Sequence, residues 1–262
     1  MTSLADRTIT ALRDRHDELA SVVTGLSDDE LARRSGATEW TVAQVLSHLG
    51  SGAEITLAGL RSAVDGTPRP DDGFNHSVWD RWNGLGAREQ ADGSLEHDER
   101  LVTALEELTA EQRETVAVDV GFLPAPLSLA SFAGMRLSEL TQHSWDARVA
   151  FDPAAVLDAH AAEVLVEHLS GGLGFVLGFA GRADALAEPA VVAVQGADVV
   201  IRIDGTVGLE TTSAEATATF RGDLEAVVRL LAGRLTPSYT PADVEVSGNV
   251  SLDDLRRVFP GY

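Results

Sequence analysis

The stretch "TEWTVAQVLSHLG", residues 38–50, decides where a long helix begins in the first half of the chain. Thr41 stands three residues before Gln44, which is the spacing of a capping box, where each side chain satisfies a free backbone N–H at a helix start. The residues that follow are typical of a buried helix, apart from the single polar His48. We therefore predict a helix from Thr41 to about Ala63 and leave the role of His48 open at this point.

Three further long helices are predicted from apolar residues that recur at helical spacing. They cover residues 4–23, about 95–108 and 127–150, and a short helix opens at Ser27, three residues before Glu30. The segment between about 74 and 94 is mixed and in part helical. Four amphipathic helices favour an antiparallel four-helix bundle with extra short pieces.

The pattern changes beyond about residue 185. "PAVVAVQGADVVIRIDG" predicts two strands joined by a turn, and it is followed by a third strand, a helix from 223 to 233, a short strand and a last helix. The predicted fold class is therefore α+β. Residues 1–152 form the bundle, residues 153–184 a helical connector, and residues 185–262 a smaller α/β domain.

The amino-acid composition excludes some classes of binding partner. The 262 residues include 41 acidic and 20 basic ones, for a net charge of −21, so nucleic acid and anionic membrane surfaces are excluded as favoured partners. No cysteine is present, which excludes disulfides, thiolate metal sites and a cysteine nucleophile. The charged first turns and the lack of a long apolar run predict a cytoplasmic protein.

Glu139 and His143 lie four residues apart in "RLSELTQHSWD", residues 136–146, and hence on one face of the last bundle helix. A carboxylate and an imidazole at this spacing can bind one divalent ion, and His48 from a facing helix could complete the site. From the spacing alone, the alternatives to a metal site are a chance Glu–His pair and a core or boundary histidine with one hydrogen bond. The remaining histidines, at positions 16, 76, 97, 160 and 168, are expected to be ordinary surface residues.

These two stretches give the chain a recognisable resemblance. "TEWTVAQVLSHLG", "RLSELTQHSWD" and the interval between them resemble the mycothiol-dependent maleylpyruvate isomerase family of the DinB-like helical bundles. "DLEAVVRLLAGR" and "VSGNVSLDDLRRVF" are similar to the small sterol-carrier-like domain that follows the bundle in this family. The resemblance implies a zinc ion, or another divalent metal, held by His48, Glu139 and His143, with an open position for the thiolate of mycothiol.

The resemblance further implies an enzyme that adds this thiolate to an electrophilic small molecule, as an isomerase or a thiol S-transferase. Two alternatives from other classes stay open, namely a metal-dependent hydrolase that uses zinc-bound water and a noncatalytic protein that binds a small ligand. A monomer or a homodimer is expected.

Four residues outside the metal triad are also predicted to belong to the site. Trp40 and Asp146 are assigned to cofactor binding; the alternatives are core packing for Trp40 and an ion pair with Arg148 for Asp146. Arg81 and Arg234 are candidates for holding an anionic substrate or a carboxyl group of the thiol, because a guanidinium binds a carboxylate with two hydrogen bonds. Capping of the preceding helix end is the alternative for Arg234.

Overall fold

The computed structural model describes residues 2–37, 39–211 and 215–261. Thr38, with which the quoted stretch begins, and the outer limits of the two predicted domains, Met1 and Tyr262, lie outside the described residues. The chain forms two compact units, Met1–Ala155 and Val156–Tyr262.

The first unit is built mainly from helices. They are α1 (Leu4–Val23), α2 (Asp28–Leu31), α3 (Val42–Asp65), α4 (Asp72–Asn83), α5 (Ala87–Glu106), α6 (Ala110–Thr115) and α7 (Leu129–Arg148). Two short antiparallel strands, β1 (Ala117–Val118) and β2 (Leu127–Ser128), precede α7.

The four long helices form the predicted bundle. Helix α1 packs against α5 and α7, and α3 packs against the same two helices. Each helix contributes leucines without solvent exposure to the shared core, such as Leu12, Leu46, Leu101 and Leu137. Burial of these apolar side chains is the main stabilising contribution to such a bundle. The prediction of a bundle is confirmed.

Both predicted capping boxes are present. The N–H of Gln44 donates to Thr41 Oγ1, and the N–H of Thr41 donates to Gln44 Oε1 at 2.9 Å. Ser27 and Glu30 form the same arrangement at the start of α2. Helix α3 ends at Asp65 and is capped by Gly66, which has a φ of 66°. Local side-chain chemistry thus sets the start of the helix that carries His48.

The predicted start of the third long helix, near residue 95, is wrong: α5 begins at Ala87. The glycines in this segment predict an interruption of the helix. A Cβ atom added to Gly93, however, would lie 3.2 Å from the ring of Trp82. A Cβ on Gly50 of α3 would lie 2.1 Å from the same ring. Glycine at both positions therefore makes room for the fully buried Trp82, and this burial offsets the low helix propensity of glycine.

The second unit is a small α/β structure. Its helices are α8 (Ala159–Leu169), α9 (Phe175–Ala180), α10 (Leu224–Leu231) and α11 (Leu252–Val258). Its strands are β3 (Ala190–Val194), β4 (Val200–Asp204), β5 (Thr206–Glu210), β6 (Ala218–Arg221) and β7 (Glu245–Gly248). The sheet has the order β5-β4-β3-β6-β7, in which β3 and β6 are parallel and the other neighbours antiparallel.

In this unit, the two strands predicted from "PAVVAVQGADVVIRIDG" are confirmed as β3 and β4. The helix predicted from 223 to 233 is confirmed as α10, and the short strand predicted after it is confirmed as β7. Strand β5 was not predicted. Strand β5 contains Gly208, which lacks the side chain that a strand pattern needs, and the chain reaches it through a tight turn at Gly205 (φ 65°). Residues 156–184, predicted as a connector, belong to this second unit. The N–H of Leu157 donates to the buried Glu225 of α10.

Within the described ranges, none of the helices combines the length and the apolar character that are needed to cross a lipid bilayer.

Candidate metal centre

The bundle brings together the three residues predicted as metal ligands. His48 projects from α3, and Glu139 and His143 project from successive turns of α7. His48 Nε2 lies 2.8 Å from Glu139 Oε2, and His143 Nε2 lies 3.6 Å from the same oxygen. One ligand atom of each residue lies within 4.8 Å of the others.

The imidazole of His143 is oriented by a buried carboxylate. His143 Nδ1 lies 2.8 Å from Oδ2 of Asp146, and Asp146 is 1% exposed. Because an ionised carboxylate only accepts hydrogen bonds, Nδ1–H donates and the lone pair of Nε2 faces the other two ligands. Arg148, the alternative partner of Asp146, forms an ion pair with Glu18. The contact with His143 is the one expected of a residue that supports a metal ligand.

Trp40 covers the two imidazoles. The centroid of its ring lies 5.3 Å from that of His48 and 6.2 Å from that of His143. The loop that carries Trp40 is attached to α7, because the N–H of Gly36 donates to the carbonyl of Asp146 at 2.7 Å. The other tryptophan in this region, Trp145, is buried and donates to the carbonyl of Ala155.

Glu139 is held in its ionised form. Desolvation raises the pKa of this carboxyl group, but the hydrogen bond with His48 and the nearby imidazole of His143 outweigh it and lower the pKa to about 2. An anionic carboxylate is the form that binds a cation.

The donor set fits a divalent ion such as zinc. Two imidazole nitrogens and one carboxylate oxygen are common zinc ligands, and three protein ligands are typical of catalytic sites with a free position. About half of the Glu139 side chain and 38% of the His48 side chain are exposed, so the three residues are open on one side. The open side meets a cavity of about 420 Å³, which His48 and Glu139 help to line.

The cavity is lined by a buried guanidinium group that was not among the site residues predicted from the sequence. Arg136 lines the cavity, and its Nη2 donates to Asp98 Oδ1 at 2.7 Å. The other oxygen of Asp98 lies 2.9 Å from His16 Nδ1, while His16 Nε2 lies 2.9 Å from Glu99. Arg136, Asp98 and His16 are all more than nine-tenths buried.

Burial and charge oppose each other in this network. Burial raises the pKa of Asp98, but the guanidinium of Arg136 and the hydrogen bond with His16 lower it below its ordinary value. Burial likewise lowers the pKa of His16, but the carboxylates of Asp98 and Glu99 raise it above its ordinary value. Asp98 and His16 are therefore both stabilised in their charged forms.

The sequence carried a signal for Arg136 and for His16. Arg136 precedes Glu139 by three positions and so shares its helix face. His16 lies at helical spacing from the buried Leu12 and Leu19, which places it on the core side of α1. The prediction that the remaining histidines are surface residues is wrong for His16 and for His168, which are both buried.

The other two predicted residues, Arg81 and Arg234, each contact a partner within their own unit. The guanidinium of Arg81 is bound by Glu54, which also accepts from Trp82 Nε1, and Arg81 is not part of the cavity lining formed by described residues. Arg234 belongs to the second unit, where its guanidinium donates to the carbonyl of Ala232 at the end of α10. This contact has the geometry of a helix cap.

Comparisons with known proteins give a match to a family model, matches to a curated relative and matches to solved structures. Residues 12–148 match the mycothiol maleylpyruvate isomerase N-terminal domain. An uncharacterized protein of Mycobacterium tuberculosis, known from two strains, is 24% identical over 160 residues, which cover 61% of this chain and 74% of that protein.

Two crystal structures of the mycothiol-dependent maleylpyruvate isomerase, one of them a histidine-to-alanine mutant, are similar to the chain with a TM-score of 0.65. The match covers 95% of this chain and 98% of theirs at 17% sequence identity. At this identity the likeness establishes a shared fold.

Proposed function

Because the chain belongs to the mycothiol maleylpyruvate isomerase N-terminal domain family, we propose that it is a metal-dependent enzyme that uses the thiolate of mycothiol to attack an electrophilic small molecule. The observation that carries the proposal is the convergence of His48, Glu139 and His143 within 4.8 Å beside a cavity. The chain has no cysteine, so the sulfur of such a reaction has to come from a cosubstrate.

The triad would hold zinc or another divalent ion through His48, Glu139 and His143. When bound, such an ion lowers the pKa of a coordinating thiol, so that the thiolate forms near neutral pH without a protein base. Asp146 keeps His143 in the tautomer that binds a metal through Nε2, and the ring of Trp40 packs beside both imidazoles.

The reaction needs only addition and elimination at a conjugated double bond. Addition forms a C–S bond at the electrophilic carbon and moves the π electron pair onto the conjugated carbonyl oxygen, which becomes an enolate. Rotation about the new single bond, followed by return of the electron pair, expels the thiolate and leaves the isomerised product. If the enolate carbon takes up a proton instead, the S-adduct is the product of a transferase.

Arg136 is suited to bind the enolate oxygen. It lines the cavity three residues before Glu139, and Asp98 holds it in place. N–H donors that are fixed before the reaction stabilise developing negative charge without reorganisation. The choice between isomerase and S-transferase, a cytoplasmic location and the oligomeric state remain predictions.

Metal analysis tests the first part of the proposal. Protein purified without chelator should contain about one divalent ion per chain. His48→Ala should lower metal retention while circular dichroism shows an intact bundle, whereas His160→Ala, outside the triad, should retain the ion. Metal-free wild-type protein, or equal retention in His48→Ala, would contradict the metal site.

Spectroscopy of the cobalt-loaded protein tests the second part. Titration with mycothiol should produce the charge-transfer absorption of a cobalt–thiolate bond, and S-methylated mycothiol should not. Failure of mycothiol to produce this band would refute the role of the thiol. Turnover of an electrophile or ester that needs no added thiol would favour the hydrolase alternative instead.

A further inference from the structure

Three helices of the first unit line the cavity beside the triad. Helix α3 contributes residues from His48, at the triad, to Gly59, about 16 Å further along at 1.5 Å per residue. Helix α7 forms one wall, and α4 with the loop before it forms another; both helices pack against α3. A reaction between a thiol and an electrophile needs two ligands side by side, and the two walls offer a surface to each.

The wall formed by α7 is suited to the electrophile. Its lining residues are Phe132, Met135, Arg136 and Glu139. A Cβ on Gly52 of α3 would lie 3.3 Å from Arg136 Nη1, so the guanidinium lies close to α3 within one turn of His48. In the proposed reaction the attacked carbon meets the sulfur at the triad and the conjugated oxygen meets Arg136. These two contacts fix the reacting part of the electrophile at the triad end, against α7.

The wall formed by α4, which we call the α4 wall, carries an exposed aromatic ring. Its lining residues are Arg69, Pro70, Asn75 and Trp79. The indole of Trp79 is 43% exposed, although tryptophan is a residue that folding usually buries. The ring of His76 stands nearly perpendicular to the indole, with the centroids 5.3 Å apart, and restricts its orientation. An exposed, oriented aromatic ring beside a cavity is typical of a ligand-binding surface.

Fixed polar groups lie next to this ring. The carboxylate of Asp119, which also lines the cavity, accepts from the N–H of Gly121 at 2.8 Å and lies 3.7 Å from Arg69 Nε. Gly121 has a φ of 82°, and a Cβ there would lie 2.6 Å from Arg69 Cζ, so glycine lets the guanidinium pack against the loop. Asn75 adds an amide that both donates and accepts. An aromatic face with carboxylate and amide groups beside it matches a polyhydroxylated ring, which has apolar C–H faces and a polar edge.

Mycothiol contains two such rings. Its sulfur belongs to an N-acetylcysteine, which is joined through an amide to a glucosamine ring that carries an inositol ring, and neither ring is charged. With the sulfur at the triad, an extended linker places the two rings about 6–12 Å away. Ile55, in the middle of the α3 lining, lies about 10 Å from His48 along the helix. The lining therefore extends far enough from the triad to contact both rings.

We propose that the α4 wall binds the sugar part of the thiol cosubstrate. Trp79 stacks against the face of a ring, and Asn75 and Asp119 form hydrogen bonds with ring hydroxyl groups. The electrophile then occupies the α7 wall, where Arg136 meets its oxygen. The inference rests on the proposed function and assigns one wall of the same cavity to the cosubstrate.

Binding of two thiols to the cobalt-loaded, full-length protein tests the inference. Mycothiol is compared with N-acetylcysteine methylamide, which keeps the sulfur and the amide but lacks both rings, and the cobalt–thiolate absorption reports the binding of each. Wild-type protein should bind mycothiol more tightly than the methylamide. Trp79→Ala should weaken mycothiol binding about tenfold and change methylamide binding by less than about twofold. Trp79→Phe should recover part of the loss.

Two further variants of α4 complete the set. Ser77→Ala changes an exposed residue outside the cavity lining formed by described residues, and it should leave both affinities unchanged. Asn75→Ala removes hydrogen bonds to ring hydroxyl groups, so it should weaken mycothiol binding about two- to tenfold and leave methylamide binding unchanged.

The outcomes separate the inference from the proposed function. Equal affinity for mycothiol in Trp79→Ala and in the wild type would overturn the inference and leave this wall to the electrophile. An equal loss for both thiols would also overturn it, because the change would then lie at the metal or in the fold. Absence of the cobalt–thiolate band with either thiol in the wild type would refute the proposed function itself.

Discussion

Replacing Asp98 by Asn should destabilise the first unit strongly. The carboxylate of Asp98 is 1% exposed, and it accepts from Arg136 at 2.7 Å and lies 2.9 Å from His16. Asn keeps the shape of the side chain but removes its charge, so the buried guanidinium of Arg136 loses its counter-ion. Breaking a buried ion pair in this way costs about 3–5 kcal/mol.

The expected change is large enough for ordinary unfolding measurements. In a unit of this size each kcal/mol corresponds to a shift of about 2–4 °C in the unfolding midpoint, so Asp98→Asn should lower it by roughly 6–20 °C. Thermal and urea unfolding followed by circular dichroism would measure the shift. Asp92→Asn on the exposed side of the same helix is the control and should change stability by less than about 0.5 kcal/mol.

A double variant separates the ionic explanation from a packing explanation. Combining Asp98→Leu with Arg136→Met removes both charges and should recover much of the stability that Asp98→Asn loses. A loss below about 1 kcal/mol in Asp98→Asn would refute the reasoning. A double variant as unstable as the single variant would show that packing, rather than charge, explains the loss.

Three further predictions concern the same bundle. Asp146→Asn should weaken metal affinity by about 10- to 100-fold in competition with a chromophoric chelator, because the histidine ligand loses its fixed tautomer; equal affinity would contradict this role. The lowered pKa of Asp98 contributes stability that is lost as pH falls below about 4. The raised pKa of His16 contributes stability that is present below about pH 6.5 and is lost as pH rises through the pKa of His16 in the folded protein. Urea midpoints should therefore be highest between these limits, and a steady rise into the alkaline range would be inconsistent with the network. Gly50→Ala should destabilise the fold by about 1–3 kcal/mol, because the added Cβ meets the ring of Trp82; Trp82→Leu in the same chain should relieve part of the loss.

Short-range features of this protein follow from its sequence. The capping box at Thr41 and Gln44 sets the start of α3, and the spacing of Glu139 and His143 places both on one face of α7. Helical hydrogen bonds and caps join residues a few positions apart, so their chemistry can be inferred from neighbouring residues alone. The order of strands and helices beyond residue 185 could be predicted from the sequence for the same reason, apart from the glycine-containing β5.

The contacts that make a site join residues far apart in the chain. His48 meets Glu139 across 91 positions, and His16 meets Asp98 across 82. Helix α3 lies close to Trp82 and to α5, and this close approach accommodates glycine inside α5. The local sequence pattern predicted that this helix begins later in the chain. By itself, then, the sequence determined that the first half is a helical bundle and that Glu139 and His143 share one face of α7. Only the tertiary structure decided how close His48 comes to that pair, the buried Arg136–Asp98 pair and the cavity between α3 and α7, because these depend on how helix faces pack against one another.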